Sequence, residues 1–188
     1  MGGPLENIQT SHRARTVRKC QRMTIELRDS RRFDASAHSL AELYLDPVFQ
    51  EERSRHLGVR SVRCERFEDG EELVLVLHEE RETGWDGHLF ESRTTTRWDA
   101  DRRRASWVLE QTGGPGEAHA HGTLTVRSLR RGCDLEFIAS ITVRVPLIGG
   151  WIERLARRGV RGERAKEAEL IRERLREARR GAGVGDDG

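Results

Sequence analysis

The amino-acid sequence predicts an α+β fold: a seven-stranded curved antiparallel sheet wrapped around a long C-terminal helix, with two short helices between strands 1 and 2. Three observations carry this expectation. Six segments of alternating apolar and polar residues follow one another between residues 59 and 145, each bounded by turn residues. A seventh, around Met23, Ile25 and Leu27, stands apart near the N-terminus. After Pro146 the apolar spacing changes from two to the helical period and keeps it to about Arg179. A sheet with one wet face needs a cover for the other, and the terminal helix is the only predicted element long enough.

Taken in order, Met23, Ile25 and Leu27 alternate with Thr24, Glu26 and Arg28, the signature of a half-buried strand. Asp34 and Ser36 are helix N-cap types, and Leu40, Leu43 and Tyr44 follow at helical spacing. Pro47 closes this helix and opens a second one that runs to about residue 56, before Gly58. Val59 to Phe67 is the next strand, turning at Asp69-Gly70. Strands then run over 72–81, 88–98, 105–111, 118–129 and 135–145. The last is the clearest: Leu135, Phe137, Ala139, Ile141, Val143 and Val145 share one face, and Glu136, Ser140, Thr142 and Arg144 the other.

Residues 1–20 lack apolar periodicity and carry a basic cluster (His12, Arg13, Arg15, Arg18, Lys19), so a disordered basic extension is expected there. A flexible tail is expected over 181–188, and one domain over 21–180. Met23 offers a second possible start of translation.

The chain has 188 residues, with 34 basic and 32 acidic side chains. This mixed-sign balance argues against a nucleic-acid partner, which calls for a concentrated positive field. No apolar run approaches the ~20 residues of a membrane span and no signal-type h-region is present, so no integral membrane association and a cytoplasmic location are expected. Cys20, Cys64 and Cys133 are scattered and odd in number, as free thiols in a reducing compartment would be. The sequence leaves the oligomeric state open.

No phosphate-binding loop, dinucleotide fingerprint or nucleophile elbow is present. His119 and His121 share a strand face but lack an evident third ligand, so no metal is expected. Gly149-Gly150 before the last helix suits either an anion at the helix terminus or a flexible bend. His88 is the best general-base candidate, with Glu110 or Asp86 as the nearest partners, yet no spacing joins them. No catalytic residue and no cofactor are assigned.

Two stretches carry a family resemblance. Phe33-Asp-Ala-Ser-Ala through Leu45-Asp46-Pro47-Val48-Phe49 resembles the helix-pair junction of START-like (SRPBCC) helix-grip proteins. Val145-Pro146-Leu147-Ile148-Gly149-Gly150-Trp151-Ile152-Glu153 resembles the entry into the final helix in an uncharacterised bacterial branch of that superfamily. The resemblance covers roughly residues 23 to 178. It implies the helix-grip fold and a cavity for a lipid or hydrophobic ligand, and it supplies no catalytic residues. The superfamily also holds polyketide cyclases and aromatases.

Strand parity indicates what would face the helix. On the 88–98 strand, Glu91, Arg93 and Arg97 require the outside, which turns His88, Phe90, Ser92, Thr94, Thr96 and Trp98 inward. Hydroxyls and an imidazole suit a cavity holding water or a ligand with an oxygen function, or else satisfy one another. Trp107 adds an apolar wall. Ala118, Ala120 and Gly122 are small inward residues, which either admit a neighbouring Trp or leave a cavity. On the terminal helix, Ile152 and Leu155 lie on the early apolar face. Ala168, Ile171 and Leu175 lie on a rotated one, so a kink or break is expected across Gly159 and Gly162. The functional expectation is non-catalytic binding of a hydrophobic small molecule or lipid in this cavity. A cyclase-like or hydrolase-like enzyme and an interaction protein with a filled core are the alternatives.

Overall fold

The computed structural model describes the backbone of residues 20–82, 89–99, 101–112, 117–146 and 151–182, and the side chains of 23–82, 89–99, 101–112, 118–142 and 158–181. The elements run β1 (Cys20–Phe33), α1 (Ala37–Leu45), α2 (Pro47–His56), β2 (Ser61–Asp69), β3 (Glu72–Glu82), β4 (Leu89–Trp98), β5 (Arg104–Thr112), β6 (Glu117–Ser128), β7 (Cys133–Pro146) and α3 (Trp151–Ala182). This is the α+β helix-grip architecture that the alternation predicts. The expected basic extension and C-terminal tail lie almost wholly outside the described residues.

The sheet is antiparallel throughout, in the order β1-β7-β6-β5-β4-β3-β2. β2 to β7 form a meander, and β1 closes it beside β7. The two short helices carry the chain from one sheet edge to the other. Their caps follow from composition. The Ser36 hydroxyl accepts from the Ser39 N–H at 2.9 Å, and the Asp46 carboxylate from the Val48 N–H at 2.9 Å, with Pro47 in the first turn of α2. Gly70 takes the positive φ (67°) that the β2–β3 turn requires.

The core lies between the concave sheet face, α1, α2 and α3. Leu40, Tyr44, Leu45, Phe49, Trp98, Leu135 and Ile171 are among its fully buried members. From α3 it takes Ala168, Leu170, Ile171 and Leu175.

Of the kink or break expected in α3, the break does not occur: the helix is continuous across Gly159 and Gly162. Both glycines point into open space, where each lowers helix propensity by only ~1 kcal/mol. Burial of the following turns holds the helix through them. The second half of α3 stays against β1 and α2 rather than leaving the sheet.

Candidate functional site

The register assembles the concave face in rows. One row reads Thr96–Trp107–Gly122–Ala139, and the next reads Thr94–Leu109–Ala120–Ile141. The Trp107 ring stacks on Phe137, with centroids 5.4 Å apart and planes at 9°. A Cβ on Gly122 would meet Trp107 Cζ2 at 2.8 Å, so Trp107 fills the space above Gly122. The neighbouring Trp thus accounts for one of the three small residues.

Between β2, β3, β4 and the helix pair lies a cavity of about 30 Å³, with Tyr44, Arg53, Cys64, Thr94, Thr96 and Trp98 in its wall. A space of that size holds about one water molecule or one polar group. Among the described residues, four buried N–H donors have no hydrogen-bond partner: Trp98 Nε1, Trp107 Nε1, Arg53 Nε and Arg164 Nε. Those of Trp98 and Arg53 belong to cavity-wall residues. An unmet buried donor costs about 1–3 kcal/mol, so such atoms mark where an oxygen acceptor is best placed.

Beside the cavity sits a buried ionic cluster. Tyr44 Oη donates to Glu167 Oε1 at 2.7 Å, and Arg53 Nη1 donates to the same oxygen at 3.3 Å. Arg164 Nη1 donates to Glu167 Oε2, while its guanidinium lies 4.6 Å from the Phe137 ring centroid and its Nε 3.8 Å from Asp29 Oδ2. Burial alone would raise the Glu167 carboxyl. The charges of Arg164 and Arg53, with the Tyr44 hydroxyl, outweigh it and hold the carboxyl below the ordinary carboxylate range. Burial and then the Glu167 charge push the Tyr44 hydroxyl well up, so it stays a donor. Burial also pushes the Cys64 thiol up to about 11. Every acceptor of the carboxylate is engaged, and the cluster ties α3 to α1, α2 and the sheet.

The candidate residues from the sequence fall as follows. Trp98 is fully buried, and Thr94 and Thr96 are half-buried in the cavity wall. Ser92 is buried but lies 3.4 Å from Glu79 Oε2, to which it donates. Phe90 and Ala118 are half-buried and Ala120 is buried, while Trp107 and Gly122 are packed on each other. His88 lies outside the described residues, as do the side chains of Ile152 and Leu155 on α3. Of the general-base partners, Asp86 also lies outside, and Glu110 is exposed on the outer face opposite His119. Its strand parity opposes that of Trp107 and Leu109, so it does not reach the interior. His119 and His121 are exposed with ring centroids 6.0 Å apart, and no metal-holding cluster of three or more His, Cys, Asp or Glu occurs among the described residues.

Sequence reasoning missed Tyr44, Arg53, Cys64, Arg164 and Glu167 as parts of the site. A signal existed for one of them. The face defined by Ala168, Ile171 and Leu175, extended one turn backwards, passes through Arg164.

A family model described as a protein of unknown function (DUF2505) matches residues 86–175. No protein of curated function matches the chain in sequence. Among solved structures, an uncharacterised protein from Rhizobium leguminosarum superposes with a TM-score of 0.65 at 15% identity, covering 83% of this chain and 99% of the other. A START superfamily protein from Mycobacterium smegmatis gives 0.53 at 17% identity, covering 81% and 98%. The Zhui aromatase/cyclase from Streptomyces sp. R1128 gives 0.51 at 15%, covering 87% and 99%. These likenesses establish the fold. Among the described residues, no helix is long and apolar enough to cross a membrane.

Proposed function

We propose, on the START-like helix-grip fold that this chain adopts, that it binds a small molecule with an apolar body and an oxygen-bearing end between the sheet and α3. The observation that carries the reading is the pair of unpartnered N–H groups, Trp98 Nε1 and Arg53 Nε, on residues walling the cavity beside the Thr94 and Thr96 hydroxyls. At about 30 Å³, the cavity has room for the polar end alone. In this reading the apolar body lies along the row of the concave face that starts at Thr94, against half-buried Leu109 and Ile141.

Binding without chemistry is favoured by the state of the interior carboxylates. Glu167 is committed to Tyr44, Arg53 and Arg164, and Glu79 lies 3.6 Å from the Arg81 guanidinium. Neither is a free base. The unpaired thiols of Cys64 and Cys133 accord with a cytoplasmic carrier or sensor.

Titration of the full chain with 11-(dansylamino)undecanoic acid, followed by dansyl fluorescence, tests this. Saturable one-to-one binding is expected, weakened at least tenfold by Thr94→Leu and by Trp98→Phe while the circular dichroism spectrum stays native. Absence of saturation, or binding indifferent to both substitutions, overturns the proposal.

A further inference from the structure

We propose that a second groove, between the last turns of α3 and the corner where β1 meets α1, binds a soluble phosphate-bearing anion through Arg32, Arg131, Arg172, Arg176 and Arg179. The groove encloses about 580 Å³, within the range of small-molecule sites, and shares no wall residue with the cavity beside Trp98. The inference therefore stands independently of the interior ligand.

Charge segregation is the first observation. The chain as a whole is nearly balanced, with 34 basic and 32 acidic residues. On other surfaces several arginines are matched. Arg97 meets Asp69 at 2.8 Å and Glu72 at 3.0 Å, Arg55 meets Glu51 at 2.7 Å, and Arg174 meets Glu177 at 2.6 Å. In the groove five guanidiniums face one carboxylate, that of Asp34. Only Arg179 pairs with it, at 3.1 Å. Arg32, Arg131, Arg172 and Arg176 make no ion pair among the described residues. Asp134, opposite Arg32 in the register, instead accepts the Ser30 hydroxyl at 2.7 Å.

Convergence and ordering are the second. Arg172, Arg176 and Arg179 recur on one face of α3, Arg32 comes from the end of β1, and Arg131 from the β6–β7 turn. Three of these side chains are held. Arg172 lies over the Phe33 ring at 5.4 Å, Arg176 Nε donates to the Arg172 carbonyl at 3.1 Å, and Arg179 is held by Asp34. Guanidiniums already fixed lose less freedom on binding than free ones. Their planar forks match phosphate oxygens, and several like charges around one concavity favour a multiply charged group over a single carboxylate.

Isothermal titration of the full chain with inorganic pyrophosphate at low ionic strength tests the site. One saturable site is expected, with affinity falling at least tenfold in Arg172→Gln/Arg176→Gln. A second variant, Arg32→Gln/Arg131→Gln, serves if loss of the Phe33 contact impairs folding, and is expected to weaken binding likewise. Arg63→Gln/Arg93→Gln, which removes two cations from another face, is expected to stay within twofold of the parent. Equal weakening in this control, no saturation, or binding only to vesicles of phosphatidic acid and phosphatidylcholine overturns the proposal.

Discussion

The indole of Trp107 rests over Gly122, its Cζ2 standing 2.8 Å from where a Cβ on that glycine would lie. The Ile138 carbonyl presses on the same point. Gly122→Ala therefore has nowhere to put a methyl group without moving a ring stacked on Phe137 or a strand already paired. Overpacking of this kind lowers stability by about 1–3 kcal/mol. Guanidinium denaturation should register that loss, and Trp107→Leu in the alanine background should recover only the share due to the ring.

Removing the charge of Glu167 should be more damaging. Glu167→Gln leaves Arg164 and Arg53 buried without their counter-charge, a change that costs about 3–5 kcal/mol. Because the folded carboxyl titrates below its ordinary range, its contribution is present above that range. It disappears as pH falls through the folded value. Urea denaturation across pH should show the parent's advantage over Glu167→Gln at neutral pH and its shrinkage below about pH 4.5. An advantage unchanged to pH 2 contradicts the assignment.

The Cys64 thiol, raised by burial to about 11, should be sluggish. In a Cys20→Ser background at pH 7.5, iodoacetamide should modify Cys64 about 100-fold more slowly than an ordinary exposed thiol, because the thiolate fraction falls tenfold per unit of pKa. Mass spectrometry of the alkylated peptide provides the rate. Since Cys64 lines the cavity, the dansylated acid should slow it further.

Continuity of α3 predicts a gain. A Cβ at Gly159 or Gly162 meets nothing within 4 Å, and both residues are helical. Gly159→Ala and Gly162→Ala should each stabilise by about 0.5–1 kcal/mol in thermal unfolding. A loss in either would mean that the helix needs a glycine there to bend.

Most of the architecture was legible because strand alternation and turn chemistry are local. Leu135 to Ile141 announces its buried face unaided, and Ser36 and Pro47 mark helix starts within a few residues of where they occur. The site was less legible because it is built from non-local pairings. That Trp107 fills the space over Gly122 depends on the β5–β6 register, which no single strand encodes. Arg164 and Glu167 look like members of a solvated charged stripe. Only the approach of Tyr44 and Arg53, more than a hundred positions away, turns them into a buried cluster. The expected helix break failed for the same reason: long-range packing of Ala168, Ile171 and Leu175 overrides weak local propensity.

Native mass spectrometry of the full chain, purified without denaturation from its own host, tests most directly whether the interior takes a ligand. The expected result is a one-to-one complex with a compound of a few hundred daltons that organic solvent strips away and that Trp98→Phe retains poorly. A protein that carries only its own mass, and that also fails to take up an added apolar acid, contradicts it.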